Sequence, residues 1–251
     1  MAEIYIAKIN SLLESSNVIK ASPAEHNHKL YAFLEQERAE KINKIRSESE
    51  KLLRVYASVF AKLYISEKTG IDISKLKYLY QHNGKPYFDS CPIKFNISHT
   101  KNTLAIAFSF SEIGVDVEDV RPIDLKLAKR YFTENENKYI FENNISAMAL
   151  EGLNIPFFDV DDNDSLFKRF FCVWTRKEAF VKRSGTGLCF KLNSVDLVDF
   201  NQSKGITTIE KDNSIISVAT DDEKNEFNFI DEKIILSMAE EYLKTSENAL
   251  L

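Results

Sequence analysis

The sequence has few cysteines, no excess of basic residues and no long apolar run, and each absence excludes a class of protein. Its three cysteines, Cys91, Cys172 and Cys189, are an odd number without CxxC spacing, so neither a disulfide framework nor a zinc site is expected. The formal net charge of −5 argues against nucleic acid as the main partner, because phosphate contacts need a basic face. No run is long enough to span a bilayer, and the N-terminus lacks the features of a signal peptide. We therefore expect a cytoplasmic protein that binds neither nucleic acid nor membrane.

The composition is that of a globular protein with an ample core, since 44% of the 251 residues are apolar and 28% are charged. A first long helix is predicted over residues 37–70, where Ser47 and Glu50 resemble a capping box and Gly70 is a C-terminal stop. A second is predicted from residue 165 to Gly185 or Gly187. Strands are predicted at residues 4–9, 76–80, 93–97, 104–109, 114–117, 188–200, 206–211, 214–220 and 226–231.

Both long helices end in a Thr-Gly stop that is followed by a predicted strand. This similarity between the two segments predicts two similar α+β halves, residues 1–113 and 114–251. A chance similarity of two helix ends is the alternative. Each half would be a long helix packed on a small sheet.

The segment "IGVDVE" carries two carboxylates on one side of a predicted strand. In an extended strand, side chains two apart lie on one face, so Asp116 and Glu118 point the same way while Val115 and Val117 point into the core. Two like charges on one face repel each other. Solvent, a lysine or a hard cation with oxygen ligands would offset that repulsion.

The second long helix carries Trp174, Lys177, Glu178 and Lys182 at i, i+3, i+4 and i+8, so these side chains are expected on one face. The simpler interpretation is a solvated face with a Glu178–Lys182 surface pair. The alternative joins this face to the strand that carries the two carboxylates. Three carboxylates would then form an oxygen-rich site suited to Mg²⁺ and a substrate phosphate, with the lysines countering phosphate charge.

Two other patterns suggest chemistry that the spacing disfavours. Ser98 and His99 are adjacent on a predicted strand and face opposite ways, so they do not form a hydrolase-type pair, and contacts to phosphate fit them better. The tract "DVDDND" alternates Asp159, Asp161 and Asn163 like a calcium loop, but Asp164 stands where that loop needs glycine. A solvated loop that caps the next helix is the better interpretation.

Four segments in this order, "NGKPYF", "FNISHT", "IGVDVE" and "VWTRKEAFVKRSGTGL", resemble the surfactin-synthetase-activating type of 4′-phosphopantetheinyl transferase. The resemblance runs from about Arg38 to Gly187. It implies an α+β fold of two pseudo-symmetric halves, each a long helix packed on a small, mainly antiparallel sheet, in a monomer with coenzyme A and Mg²⁺ between the halves. The implied enzyme moves the phosphopantetheine arm of coenzyme A to a serine of an apo acyl or peptidyl carrier protein and releases 3′,5′-ADP.

The resemblance also implies roles for individual residues. Asp116, Glu118 and Glu178 would hold Mg²⁺, and Lys182 would contact the α-phosphate and assist the departing ADP. The implied catalytic residues are Glu178, Lys182 and Glu118, and either Glu178 or a water held by the metal would take the serine proton. The implied contacts with coenzyme A are Arg38, Lys41, Lys85, Pro86, Ser98, His99, Lys177 and Lys182. Glu136 matches an acidic position of the family without an assigned role.

Two other functions are compatible with the same residues. One is a Mg²⁺-dependent phosphohydrolase that acts on a coenzyme A-like diphosphate without a carrier protein. The other is a non-catalytic carrier-binding protein, which would be expected to lack one of the carboxylates. No carboxylate of the set is missing here.

Overall fold

A computed structural model describes residues 1–9, 29–89, 91–142, 146–159, 164–187 and 190–248 of the chain. Its strands are β1 Ala2–Lys8, β2 Tyr78–Tyr80, β3 Pro86–Phe88, β4 Lys94–His99, β5 Thr103–Ser109, β6 Ile113–Asp119, β7 Ile206–Lys211, β8 Ser214–Thr220 and β9 Asn225–Asp231. Its helices are α1 Gln36–Asn43, α2 Glu48–Thr69, α3 Lys126–Tyr131, α4 Glu134–Glu142, α5 Ala147–Gly152, α6 Ser165–Ser184 and α7 Glu232–Asn248. Short 3₁₀ turns lie at Ile73–Lys75 and Leu192–Ser194.

Two sheets form the centre of the molecule. The first has the order β4-β5-β1-β9 and the second the order β6-β8-β7, and β2 and β3 form a separate hairpin. Among the described strands, all pairings are antiparallel except that of β1 with β9. The predicted class, α+β with small and mainly antiparallel sheets, is therefore confirmed.

Each sheet has one face against the other sheet and one face against a long helix. Ile4 and Ile6 of β1 belong to an apolar cluster shared with Val115 and Val117 of β6, which fills the space between the sheets. Tyr5, between the two isoleucines, belongs instead to the cluster under α2. The alternation of side chains along a strand thus builds four layers, α2, first sheet, second sheet and α6.

Both long helices end at a predicted glycine, although α6 ends at Ser184–Gly185 and not at the Thr-Gly pair that follows. The Ser47 hydroxyl accepts a hydrogen bond from the Glu50 amide at the start of α2, and Gly70 and Gly185 end α2 and α6 in the left-handed region at φ 71° and 68°. The continuous helix predicted over 37–70 is wrong, because the chain breaks between α1 and α2. The break is where the Ser47 cap begins a new helix.

The C-terminal part of the chain returns to the first sheet. β9 pairs in parallel with β1, and Ile235 and Ala239 of α7 lie in the apolar cluster under α2. The predicted boundary at residue 113/114 assigned β9 and α7 to the second half by chain order. Their packing joins them to the first half, because chain order does not determine which sheet a late strand extends.

The strand predicted over residues 188–200 is also wrong. Within the described part, residues 190–200 contain the Leu192–Ser194 turn and irregular backbone instead. The calcium-loop candidates Asp161 and Asn163 lie outside the described residues. In the ranges that the structure describes, no helix is both long enough and apolar enough to cross a membrane.

Candidate active site

The two carboxylates of β6 face the second long helix. Ile113, Val115 and Val117 point into the cluster between the sheets, so the alternate positions point to α6. At Gly114 the strand and the helix come so close that a Cβ atom would overlap the Ala179 carbonyl oxygen. This close approach brings Asp116 next to the last turns of α6.

Asp116 is held by partners from two other elements, β4 and α6, and is only 5% exposed. Its Oδ1 accepts hydrogen bonds from the Ser98 hydroxyl at 2.8 Å and from the Lys182 ammonium at 2.6 Å. Lys182 also donates to the Ser98 oxygen and to the Val115 carbonyl, which uses all three of its donors. The other oxygen, Asp116 Oδ2, is buried and has no hydrogen-bond partner among the described residues.

Glu118 and Glu178 add two more carboxylates to this corner. Burial raises the pKa of Glu178, and the charges of Asp116 and Glu118 raise it further. Burial also raises the pKa of Glu118, with a smaller contribution from Asp116, although Arg121 donates to Glu118 at 2.8 Å and opposes the shift. Among the described residues, Glu178 forms no ion pair within 4 Å. Three carboxylates thus share a desolvated corner with one lysine.

A cavity of about 800 Å³ opens beside this corner. Glu178 and Lys182 line it from α6, and Lys85 and Pro86 line it from the β2–β3 hairpin. Trp174 lies one turn before Glu178 in the same wall. The Lys85 ammonium is paired with Glu112 at 2.8 Å, and it also donates to the Arg183 carbonyl.

Lys177 is not part of this cavity, and its predicted contact with coenzyme A is corrected. Its side chain is 1% exposed, and its ammonium lies 2.8 Å from Glu136 Oε2. Burial lowers the pKa of Lys177 and raises that of Glu136, while their mutual attraction opposes both shifts. One helical step of about 100° turns Lys177 away from Glu178, so the four helix residues do not share one face.

The remaining predicted residues of the first half form a separate group. Arg38 is buried, with its guanidinium 4.2 Å from the Tyr78 ring centroid, and it donates to Tyr80 and to Ser58. Lys41 is exposed, lies 4.9 Å from the Tyr80 ring centroid and pairs with Glu37.

His99 follows Ser98 on β4 but lies in different surroundings. Burial lowers the pKa of His99, and the positive charge of Arg54 on α2 lowers it further. Ser98 instead bonds Asp116, so the structure agrees that the two neighbours face opposite ways. Arg38, Lys41 and His99 do not line the cavity that Lys85 and Pro86 line.

Several residues of the site have no role in the predictions made from the sequence. Asn96 accepts a hydrogen bond from the Val115 amide at 2.9 Å and thereby joins β4 to β6. Its place two residues before Ser98, on the same strand face, is a signal that could have identified it. The sequence pattern also does not predict that another part of the chain lines the cavity. These residues are Arg130, Tyr131, Phe190, Lys191, Leu192 and Asn193.

The carboxylates match a hard divalent cation in their chemistry. Within the ranges that the structure describes, no three His, Cys, Asp or Glu side chains have the geometry of a formed metal site. Oxygen donors and surplus negative charge are nevertheless what Mg²⁺ requires, and the buried Asp116 Oδ2 is an acceptor without a donor. In the chemistry of their donor atoms, these residues fit such an ion.

Comparison of the sequence with known proteins shows the family of the chain. Residues 112–239, about half of the chain, match the 4′-phosphopantetheinyl transferase superfamily. The 4′-phosphopantetheinyl transferase Sfp of Bacillus subtilis (strain 168) is 28% identical over 171 residues, which cover 68% of this chain and 68% of that protein. The transferase gsp of Aneurinibacillus migulanus is 31% identical over 162 residues, 63% of this chain and 59% of the relative. HetI of Nostoc sp. is 30% identical over 135 residues, 51% of this chain and 49% of the relative.

Proposed function

The chain belongs to the 4′-phosphopantetheinyl transferase superfamily, and on that basis we propose that the cavity beside Glu178 is where coenzyme A reacts. The family assignment confirms the resemblance that the motifs predicted. The chain is a 4′-phosphopantetheinyl transferase, an enzyme that moves the phosphopantetheine arm of coenzyme A to a carrier protein. We propose below which residues perform this transfer.

The observation that carries the proposal is the corner around Asp116. A buried carboxylate with a free oxygen, a lysine and a further carboxylate lie together at the edge of a large cavity. Phosphoryl transfer needs positioning and charge neutralisation more than covalent participation by the protein. This corner supplies both kinds of charge next to enough space for a nucleotide.

Asp116, Glu118 and Glu178 are the residues that we propose to hold Mg²⁺. When bound, the ion would neutralise the pyrophosphate of coenzyme A and polarise the phosphorus that is attacked. The unpartnered Asp116 Oδ2 supports this assignment. The pKa of Glu178 also supports it, because burial raises that pKa and the negative charges of Asp116 and Glu118 raise it further.

Lys182 and Glu178 have complementary roles in the proposed transfer. The carrier serine oxygen forms a bond to phosphorus, the bond from phosphorus to the departing 3′,5′-ADP breaks, and Lys182 offsets the charge that develops on the phosphate. Glu178 is the side chain that would take the serine proton. The raised pKa of Glu178 favours this role, because a general base is most effective when its pKa lies near the pH of the reaction.

Three of the further contacts with coenzyme A are proposed from their positions. Lys85 and Pro86 lie in the cavity wall, where they would flank the adenine, and Ser98 lies beside Lys182, where it would meet the pyrophosphate. Arg38, Lys41 and His99 lie outside this cavity and are proposed for the 3′-phosphate on the resemblance to the family alone. We further propose a cytoplasmic monomer, since one chain supplies both walls of the cavity.

The proposal is tested by incubating the protein with coenzyme A, Mg²⁺ and a panel of apo acyl and peptidyl carrier proteins. Intact-mass spectrometry should record one added phosphopantetheine on a carrier and an equal amount of 3′,5′-ADP. Asp116→Asn, which keeps the side-chain volume, should abolish both products while circular dichroism stays unchanged. Consumption of coenzyme A without any carrier mass shift would favour the phosphohydrolase instead.

A further inference from the structure

The ammonium of Lys177 lies in a buried network that the transfer chemistry does not use. It contacts Glu136 Oε2 at 2.8 Å and donates to the Leu192 carbonyl at 2.7 Å and the Val195 carbonyl at 2.8 Å. A lysine has three donors, and these three acceptors use all of them. The side chains of Lys177 and Glu136 are 1% and 0% exposed.

Glu136 extends the same network along the chain. Its Oε1 accepts from the Leu197 amide at 2.7 Å, and its Oε2 also accepts from the Thr133 amide at 2.8 Å. One buried ion pair therefore fixes three backbone groups of the segment 192–197. This segment has no strand or regular helix beyond the Leu192–Ser194 turn, so it has no regular backbone hydrogen bonds that would hold its conformation.

The fixed segment continues into the cavity wall. Residues 190–193 line the cavity together with residues of the β2–β3 hairpin, and the Leu192 carbonyl accepts from Lys177. We propose that Lys177 and Glu136 are positioning residues that hold the segment 190–197 as one wall of the coenzyme A cavity. The inference rests on the proposed function only for the identity of the ligand.

The first half contains a corresponding pair, which supports this assignment. Lys62 precedes Gly70 by as many residues as Lys177 precedes Gly185, and its ammonium lies 2.8 Å from Glu35. Glu35 accepts from the amide of Tyr78, where β2 begins. The hairpin that β2 starts carries Lys85 and Pro86, which also line the cavity. In each half, a buried lysine of the long helix thus pairs with a glutamate that accepts from the backbone of a segment leading to or from the cavity wall.

The test is the double variant Glu136→Gln/Lys177→Met. Removing both charges avoids a buried unpaired ion, so the fold is retained better than in Lys177→Met alone. Methionine cannot donate to the Leu192 and Val195 carbonyls, so the wall loses its anchors. The matched control is Arg169→Met on the same helix, because Arg169 is also buried and donates to a backbone carbonyl, that of Ile140, which does not line the cavity.

Two readouts separate positioning from a merely structural role. The double variant should raise the KM for coenzyme A by about tenfold with kcat within twofold, because the wall shifts while Asp116 and Lys182 keep their contacts. Trypsin should also cut after Lys191, an exposed residue of the wall, several times faster than in the unaltered protein. Arg169→Met should leave the KM and this cleavage unchanged at a comparable loss of thermal stability.

A double variant with an unchanged KM and unchanged cleavage after Lys191 would overturn the inference, as would equal changes in Arg169→Met. If the double variant fails to fold, the unaltered protein still decides the question. Saturating coenzyme A should protect Lys191 from trypsin, and a lack of protection would remove the segment from the cavity wall. Absence of transfer by the unaltered protein would refute the proposed function, whereas the cleavage of the variants would still test the anchoring.

Discussion

At the scale of single residues, Glu178 shows how charge at the site opposes stability. It shares a desolvated corner with Asp116 and Glu118, and the pKa of Glu178 is raised by its burial and by both neighbours. The charge of Lys182 opposes this rise of the pKa, but the donors of Lys182 are already used by Asp116, Ser98 and the Val115 carbonyl. The carboxylate of Glu178 is thus a cost to the folded state that a bound cation would offset.

Glu178→Gln should therefore affect stability and activity in opposite directions. Without Mg²⁺ the unfolding temperature should be equal or higher, since like-charge repulsion is removed, while the transfer rate should fall at least about a hundredfold. Mg²⁺ should raise the unfolding temperature of the unaltered protein more than that of the variant, because it binds the folded state. Calorimetry with and without Mg²⁺, together with carrier mass shifts, measures these effects.

Glu151→Gln is the control for this change, because Glu151 is exposed on α5 and far along the chain from the corner. It should leave the response to Mg²⁺ and the rate unaltered. Normal turnover by Glu178→Gln would return the helix to the simpler interpretation of a solvated face.

Lys41 offers a second test at this scale, directed at the 3′-phosphate of coenzyme A. Lys41→Ala should weaken the binding of coenzyme A by about tenfold and leave dephospho-coenzyme A unaffected, since only the former has a phosphate for this charge. Titration calorimetry with both ligands measures the difference. Lys44→Ala, an exposed lysine one turn further on, is the control. Equal weakening toward both ligands would remove Lys41 from that phosphate.

At the scale of elements, the crossing of β6 and α6 determines the distance between the strand that carries Asp116 and Glu118 and the helix that carries Glu178 and Lys182. A Cβ atom on Gly114 would overlap the Ala179 carbonyl oxygen and the Arg183 amide nitrogen. Both are backbone atoms within a helix, so they cannot move away by a change of rotamer, as the end of a flexible side chain can. Glycine is required here because of this close approach.

Gly114→Ala should destabilise the protein by about 1–3 kcal/mol, the usual cost of overpacking, and should lower transfer because Asp116 moves from Lys182. Chemical denaturation and the carrier assay measure the two effects. Gly152→Ala is a matched control, because the nearest heavy atom to its added Cβ would be 4.0 Å away. An unchanged unfolding free energy for Gly114→Ala would mean that the helix can shift without cost.

The elements also separate what the sequence predicts from what it does not. Helix ends were predictable because Ser47, Gly70 and Gly185 act through local backbone geometry. The sequence of segment 188–200 favours a strand because its apolar residues suit a ladder. In the described part, however, the partners of this segment include side chains of distant helices, among them Lys177. Such long-range partners leave no periodic signal in the segment itself.

The same distinction applies to the candidate site. Asp116, Glu118 and Glu178 could be selected by strand alternation and motif order. The burial of Lys177 could not be predicted, because Lys177 and Glu178 are both charged and the sequence does not show which side of α6 is covered. The side that carries Lys177 is buried by Glu136 and by the segment 190–197.

At the scale of the whole molecule, neither half is complete by itself. β1 lies between β5 and β9, so the first sheet needs a strand from the C-terminal part of the chain. The cluster between the sheets also takes residues from both, and separation would expose Ile4 and Ile6 on one side and Val115 and Val117 on the other. Two apolar faces that cover each other make the halves mutually dependent.

We therefore expect fragments 1–111 and 112–251, cut in the loop before β6, to lack a cooperative thermal transition when each is alone. An equimolar mixture should regain the transition and part of the transferase activity, since β9 of the second fragment can pair with β1 of the first. Circular dichroism during heating and the carrier mass shift measure the two properties. A cooperative transition of fragment 1–111 alone would mean that its sheet is stable without β9, and would make the halves independent domains after all.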